Sequence, residues 1–433
     1  VKLTISDMLE ISRIRNDYDA VVDGFHKRHL PADTMLLVDE VLQQDELRKT
    51  AQAELDQLLA RRNQLSKEIG SLMQQGKREE AESMKQSVAD IKTAAESLQD
   101  TMNSAKERIE NILLQLPNVP QAIVPQGRTA DDNELFRDWK GSLPAPGDKP
   151  VPHWELGKKY RLFDFELGVK ITGSGFPLYR GKGAKLQRAL IRFFLDKAID
   201  AGYEEIIPPL LVNEDTARAT GQLPDKEGQM YHCTVDNLYL IPTAEVPVTN
   251  IYRDVIVQES DFPIKLTGYT PCFRREAGSY GSDVKGLNRV HQFDKVEIVQ
   301  FQHPDHSDKA LLEMVEHVAG ILDELGLPYR IVRLCGGDLG HTSSITYDFE
   351  VFSAAQQKWL EVSSVSNFET FQTNRMRLRF RNADGQNQLA HSLNGSALAL
   401  ARVVAALLEN YQTSDGIEMP SVLIPYTGFE RID

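Results

Sequence analysis

Residues 272–276 read CFRRE: two arginines side by side next to a glutamate, in a chain with a formal net charge of −14. Arginine presents a planar fork of donors that fits a phosphate or a carboxylate two bonds at a time. A glutamate nearby can hold an amino group or a metal. The surrounding text runs KLTGYTPCFRRE, then a loop with several Gly and Ser, then NRVHQFDKVEIVQF. Alternation in the two flanking runs predicts adjacent strands. If 265–276 is extended throughout, Arg274 and Glu276 face one side, and Phe273 and Arg275 the other. On the returning strand Phe293, Lys295 and Glu297 share a face. One face of this hairpin then presents Arg274 and Glu276 beside an aromatic ring and a second acid. An ordinary surface Arg–Glu pair fits the same spacing.

The elements that must position these residues can be read from the rest of the chain. From about residue 150 onward helices and strands mix. AKLQRALIRFFLDKAIDAG predicts a helix over about 184–201 that ends at Gly202. LYLIPTAEVPV, SITYDFEVFS, KWLEVSSV and RMRLRFR read as further strands, and short loops between neighbours predict an antiparallel sheet. In RMRLRFR, Arg375, Arg377, Arg379 and Arg381 would share one strand face, either an RNA-facing strip or a solvated face paired with acids. No Gly-rich dinucleotide fingerprint and no phosphate-loop sequence occurs.

Residues 38–116 differ from everything after them. They are rich in Ala, Gln, Glu, Lys, Leu and Arg and hold no proline until Pro117. Met84, Val88, Ile91, Ala95, Leu98, Met102, Ala105, Ile109, Ile112 and Leu116 alternate spacings of four and three, the seam of a coiled coil. Ala51, Leu55, Leu58, Arg62, Leu65, Ile69 and Leu72 form a matching seam with Arg62 as its polar intruder. Gly76 breaks the pattern between them, so two long helices should fold back as an antiparallel hairpin. At 1.5 Å per residue such an arm reaches roughly 55–60 Å. Residues 8–34 read as a short helical segment, and 117–150 as an irregular connector rich in Pro and Gly.

The bulk properties bound the rest. The chain has 433 residues, enough for two or three domains, with 41% hydrophobic and 26% charged residues. Its acidic balance argues against blanket nucleic-acid binding but leaves room for a local basic site. Cys233, Cys272 and Cys335 form no CxxC pair, so neither a disulfide framework nor a cysteine zinc site is expected. A reducing, cytoplasmic setting follows, with no spanning helix and no secretory leader. Met8 reads as a start of its own, with residues 1–7 an upstream extension or a cloning remnant.

FRRE, a loop and HQFDKVE together resemble the second signature motif of class II aminoacyl-tRNA synthetases. GYEEIIPPLL, with Gly202 and Pro209, is similar to the first motif, a helix and strand at the dimer interface. NGSALALAR, ending in Arg402, resembles the third, although Ala397 and Ala401 stand where glycine is usual. Adding TGQLP (220–224), TAE (243–245), EVSS (361–364) and the long N-terminal hairpin, the chain from about Met8 resembles the seryl-tRNA synthetases of the common bacterial and eukaryotic type. The implied fold is α+β. A C-terminal catalytic domain (151–433) is built on an antiparallel sheet flanked by helices, and residues 1–116 form a tRNA-binding domain with a coiled-coil arm.

Residue roles follow from the resemblance. Arg274 holds the α-phosphate of ATP and the carboxylate of serine. Glu276 accepts the adenine amino group, Phe293 stacks on the ring, and the backbone of Val290 adds a contact. Arg402 closes over the other side of the nucleotide near its γ-phosphate, so Arg274, Glu276 and Arg402 are the catalytic candidates. Arg275, Val362 and Ser363 complete the ATP set, and Glu361 and Ser364 hold Mg²⁺, a hard ion that prefers oxygen ligands. Thr243, Ala244 and Glu245 lie at the serine amino group, Glu297 and Ser396 at its hydroxyl, and Asn394 beside them. Read as residues alone, Thr243, Ser396 and Asn394 suit ordinary turn or cap chemistry equally. The implied enzyme is a serine–tRNA ligase, a homodimer using ATP and Mg²⁺ without zinc, whose arm contacts tRNA(Ser). Whether selenocysteine tRNA is also served stays open. The competing readings are a synthetase-like protein that loads a carrier protein, and a coiled-coil assembly protein with an inactive domain. The Gly and Ser content of the loop after Glu276 suggests that it is mobile.

Overall fold

The computed structural model describes residues 9–145, 149–225, 228–276 and 285–433. The proposed extension 1–7 and the loop tip 277–284, for which the sequence suggests mobility, lie outside the described residues. The chain divides into two compact units. One runs through Phe25 and from Leu30 to Pro117; the other holds His26–His29 and Asn118–Asp433.

The first unit is dominated by helices α1 (Ala32–Gln74) and α2 (Arg78–Leu113). Gly76 turns the chain between them at φ +78°, a left-handed conformation that costs glycine least. Their 43 and 36 residues correspond to about 65 and 54 Å of helix. Ala51, Leu55, Ile91, Ala95, Ala105, Ile109 and Ile112 are buried along the seam. Leu65, Ile69 and Leu72 are only half-buried, as is Arg62. Two helices alone cannot enclose a seam, so it thins toward the tip. Near the base Arg108 grips Glu40 through Nε and Nη2 at 2.6 and 2.8 Å. Asp45, fully buried, meets Arg15, Arg48 (2.8 Å) and Lys49 (2.9 Å).

The second unit is built on an eight-stranded sheet. In chain order its strands are β1 (Glu134–Arg137), β2 (Glu204–Glu205), β3 (Ile264–Phe273), β4 (Gln292–Gln302), β5 (Tyr329–Arg333), β6 (Ile345–Ser353), β7 (Lys358–Glu369) and β8 (His391–Ala399). Their spatial order is β1-β5-β6-β7-β8-β4-β3-β2. The pairings are antiparallel except β2 with β3. The stretch expected to be an irregular connector thus supplies an edge strand, β1. Asn118 and Arg28 tie in the neighbouring segments through buried bonds to the carbonyls of Phe368 and Ser343.

Helices α3 (Gly181–Asp200), α4 (Ser307–Glu324) and α5 (Leu400–Asn410) pack on the sheet. Leu186, Phe193, Leu311, Met314, Val403 and Leu407 from the helices share one core with Val296, Ile298, Phe349, Val365 and Leu393 from the strands. Side chains alternate across a strand, so Lys295 and Glu297 on β4 and Asn394 and Ser396 on β8 point to the opposite face. That polar face carries the site. Leu398, at φ +80°, takes a backbone conformation rare for a branched side chain where β8 passes into α5.

RMRLRFR is not one strand. Arg375 and Met376 close the helix Phe371–Met376, Arg377 takes the left-handed region at φ +57°, and only Arg379–Arg381 is extended. The left-handed residue resets the face, so the arginines do not line a strip. Arg375 is buried and donates to the carbonyl of Arg218, while Arg377 pairs with Asp254. Met376, Leu378 and Phe380 do share a core, as the alternation implied.

Candidate active site

β3 ends at Phe273, one residue before the first arginine. The ladder continues through one further bond, from Arg274 N to the His291 carbonyl at 2.9 Å. The Arg274 guanidinium carbon then lies 5.3 Å from the centroid of the Phe293 ring, and its Nε donates to the Pro242 carbonyl at 3.3 Å. Arg275 turns away to cover Tyr231, 5.4 Å from ring centroid to guanidinium carbon. The strand stops short of Glu276, so alternation alone does not place it. Glu276 stands at φ +49°, outside any strand, and its carboxylate meets Arg289 Nε at 3.2 Å.

Behind Arg274 lie two buried acids. Glu297 takes Lys295 Nζ at 2.6 Å and the Thr243 hydroxyl at 3.1 Å on the same oxygen, Oε2. Thr243 Oγ1 in turn accepts the backbone N–H of Glu245 at 3.2 Å, at the start of the short helix Glu245–Thr249. The Glu245 carboxylate accepts from Gln372 Nε2 at 2.7 Å, and Gln372 accepts from the Ser392 hydroxyl at 2.9 Å. Burial, then the charge of Glu297, push the Glu245 carboxyl up to about 7, against the opposing pull of Gln372, Lys295 and Arg274. Ser396 lies across the ladder from Glu297, and Asn394 opposite Val299 and Ser366. The methyl of Ala244 is buried in core, so only its backbone can face a ligand.

At the other end of the polar face, β7 and α5 meet. Arg402 Nη1 donates to the Glu361 carbonyl at 2.6 Å and comes within 3.7 Å of its carboxylate, while Nε donates to the Asn288 carbonyl at 2.9 Å. Ser364 lies opposite Asp348 and bonds it. Burial and the nearby Glu361 hold the Asp348 carboxyl well above the ordinary carboxylate range. Ser363 gives its hydroxyl to the Ser396 carbonyl at 2.6 Å, and the Val362 and Val290 side chains belong to the core. Ala397 and Ala401 also sit in that core, so the sheet–helix junction accommodates both methyls.

The structure therefore brings together Arg274, Phe293, Thr243, Glu245 and Glu297 at one end, and Glu361, Ser364 and Arg402 at the other. The sequence reading missed Lys295 as a partner of Glu297, and Gln372, Asn288 and Asp348 entirely. A lysine two residues before a buried acid on one strand face was a legible signal. Gln372 comes from a helix nearly 130 residues away in sequence from Glu245, and no local pattern marks it.

Two family descriptions match the chain: a seryl-tRNA synthetase N-terminal domain over residues 8–120, and a class II tRNA synthetase core domain (G, H, P, S and T) over residues 231–411. A serine–tRNA ligase from Salinibacter ruber is 49% identical over 98% of this chain and 99% of its own length. One from Prosthecochloris aestuarii is 46% identical over 98% and 99%. Among solved structures, seryl-tRNA synthetase from Pyrococcus horikoshii complexed with ATP superposes with a TM-score of 0.92 at 33% identity, covering 98% of this chain and 99% of that one.

Proposed function

The chain belongs to the seryl-tRNA synthetase family, and from that premise we infer how its own residues carry the reaction. It activates serine with ATP and transfers the seryl group to tRNA(Ser). In the first step a serine carboxylate oxygen attacks the α-phosphorus and pyrophosphate leaves. In the second, a terminal ribose hydroxyl of the tRNA attacks the carbonyl and AMP leaves. Serine is already ionised at its carboxylate, so activation needs positioning and charge neutralisation rather than a general base.

The observation that carries the reading is a matched pair of charges. Arg274 is held beside two buried acids, Glu245 and Glu297, one of which is already engaged by Lys295. An amino acid zwitterion fits this arrangement, with its carboxylate toward Arg274 and its ammonium toward Glu245. Thr243 and the Ala244 backbone flank the ammonium. Ser396, Asn394 and Glu297 supply polar groups for the hydroxyl, which an alanine substrate would leave unpaired. The adenine stacks on Phe293 between Glu276 and Val290, with Arg275 beside the loop. Arg402 closes over the phosphates near Glu361, Val362, Ser363 and Ser364.

Glu361 and Ser364 fit a magnesium ion. Both are hard oxygen donors, and Asp348 beside them keeps a buried Oδ1 without a hydrogen-bond partner. No cluster of three acidic, histidine or cysteine ligands occurs among the described residues. When bound, the ion neutralises phosphate charge; the protein residues orient it.

Residues 1–116 serve as the tRNA-binding domain, the arm touching tRNA(Ser), with 117–150 leading into the catalytic domain at 151–433. The active form is a homodimer in the cytoplasm. Ile207 is 89% exposed, with Leu210 and Leu211 of the same short segment also exposed, apolar side chains that a partner subunit would cover. No helix among the described residues is long and apolar enough to cross a membrane. Carrier loading and a catalytically inactive assembly role are disfavoured, because relatives matching the chain end to end are serine–tRNA ligases.

Serine-dependent ATP–pyrophosphate exchange and tRNA charging test the reading together. Exchange should be present in the intact protein. Excising residues 38–116 should abolish charging and leave exchange intact. A lack of exchange would overturn the enzymatic assignment, and charging without the arm would overturn the arm's role.

A further inference from the structure

His153 and Glu409 form a buried pair outside every residue set described above; both side chains are fully shielded from solvent. Glu409 Oε1 accepts from His153 Nδ1 at 2.6 Å and from the His153 backbone N–H at 3.0 Å. On the far side of the ring, Leu287 N donates to His153 Nε2 at 2.9 Å. That bond makes Nε2 the acceptor and Nδ1 the N–H, so the imidazole is neutral and its tautomer fixed. Gly286 is pressed against the same ring. Its φ is +66°, and a Cβ there would stand 2.3 Å from Nε2.

The pair lies within a larger network. The Ser353 hydroxyl donates to Glu409 Oε2, and Gln356 Nε2 donates to Oε1 at 3.2 Å. Gln356 also accepts from Asn288 Nδ2 at 2.8 Å. The Asn288 carbonyl takes Arg402 Nε at 2.9 Å. Glu409 stands seven residues after Arg402 on α5, two turns along the same helix face. Between Arg402 and Glu409 the helix is wholly apolar, VVAALL, and a carboxylate buried there is costly unless every lone pair is satisfied. Burial opposes its charge, yet the bonds from His153 and Ser353 win and hold the carboxyl below its ordinary value.

We propose that His153 and Glu409 are positioning residues, a latch that fixes the returning end of the hairpin loop, Leu287–Asn288, against α5 and so aims Arg402 at the nucleotide. The latch grips Arg402 through both ends: through its helix by Glu409, and through the Asn288 carbonyl by way of Leu287 and Gln356. This rests on the reading that Arg402 contacts ATP.

The test is pyrophosphate exchange with four variants of the full-length protein: His153→Asn, Glu409→Gln, Arg402→Ala, and His153→Asn combined with Arg402→Ala. Asparagine places its amide nitrogen near where Nδ1 stands, so it keeps the bond to Glu409 and removes the acceptor for Leu287. Glu409→Gln conserves shape if the first variant folds poorly, and titration of adenylate bursts counts competent sites in each. The latch variants should raise KM for ATP about tenfold with KM for serine within about twofold, and His153→Asn should add little once Arg402 is gone. Latch variants with a normal KM for ATP, or equal losses for both substrates, would overturn the latch while leaving Arg402's role intact. An Arg402→Ala enzyme with normal KM for ATP would overturn the role of Arg402 instead, whatever the latch variants do.

Discussion

Arg274 is held between a ring and a carbonyl: its guanidinium carbon is 5.3 Å from the Phe293 centroid, and its Nε bonds Pro242 at 3.3 Å. The ring takes a face of the guanidinium and the carbonyl takes Nε, so an anion in the guanidinium plane can meet the terminal nitrogens. The ring also limits where the guanidinium can move, so little reorganisation is needed as charge shifts on a phosphate.

Arg274→Ala should therefore lower the exchange rate by a factor of about 100 or more, on the order of 3 kcal/mol. Arg274→Lys should recover little, because an ammonium cannot bridge two anions with a fork. Phe293→Leu should raise KM for ATP and, by freeing the Arg274 guanidinium, also lower the rate, by a smaller factor than Arg274→Ala. Steady-state exchange separates the three.

Glu245 gives a pH dependence with a definite sign. Burial and the facing Glu297 raise its carboxyl to about 7, while Gln372, Lys295 and Arg274 oppose them. Only the ionised form pairs with the serine ammonium. In the ligand-free enzyme kcat/KM for serine should fall about tenfold per pH unit below about 7, with KM for ATP nearly flat. The stability contribution runs the other way. A carboxyl raised on folding favours the folded state below its unfolded pKa, and that contribution is lost as pH rises through 7. Glu245→Gln should flatten the melting temperature between pH 5 and 8 while removing serine activation. A serine pH profile unchanged by pH, or by this substitution, would rule the assignment out.

Gln372 holds Glu245 from behind, at 2.7 Å, with its own oxygen fixed by Ser392. Gln372→Leu should leave Glu245 under-bonded, shifting the acidic limb of the serine profile to higher pH and raising KM for serine about tenfold. Gln372→Glu should be worse, adding a third acid beside Glu245 and Glu297. Serine titrations at pH 6 and 8 distinguish these outcomes.

How much of this was legible in the sequence depended on the range of the pattern. The arm was readable because a coiled-coil seam repeats locally and Gly76 interrupts it. The face shared by Phe293, Lys295 and Glu297 was readable because strand alternation is local. The RMRLRFR arginines were misread where a positive φ at Arg377 ends the alternation, and the strand that was to carry Glu276 stops at Phe273, before that residue's own positive φ. Neither residue is a glycine, so composition gave no warning. Gln372 reaches Glu245 across 127 residues of sequence and Glu409 reaches His153 across 256, and only the fold brings those partners together.

Asp45 makes the last prediction, in the first unit. Burial works against its charge, yet hydrogen bonds from Arg48, Lys49 and Arg15 outweigh it and hold the carboxyl below the ordinary range. A depressed carboxyl contributes stability above its unfolded pKa and loses it as pH falls through the folded value. Its three partners are each more than a third exposed in their side chains or close to it, so solvent screens part of the attraction. Asp45→Asn should consequently cost the helical unit about 2 kcal/mol at pH 7, with the difference from the parent vanishing in acid. Exchange activity should be untouched, because Asp45 belongs to the N-terminal unit and the exchange chemistry to the other. Thermal melts of both proteins from pH 7 to pH 3, followed by circular dichroism, check the stability difference. A gap that persists at pH 3 would mean that Asp45 acts through shape or packing rather than through its charge.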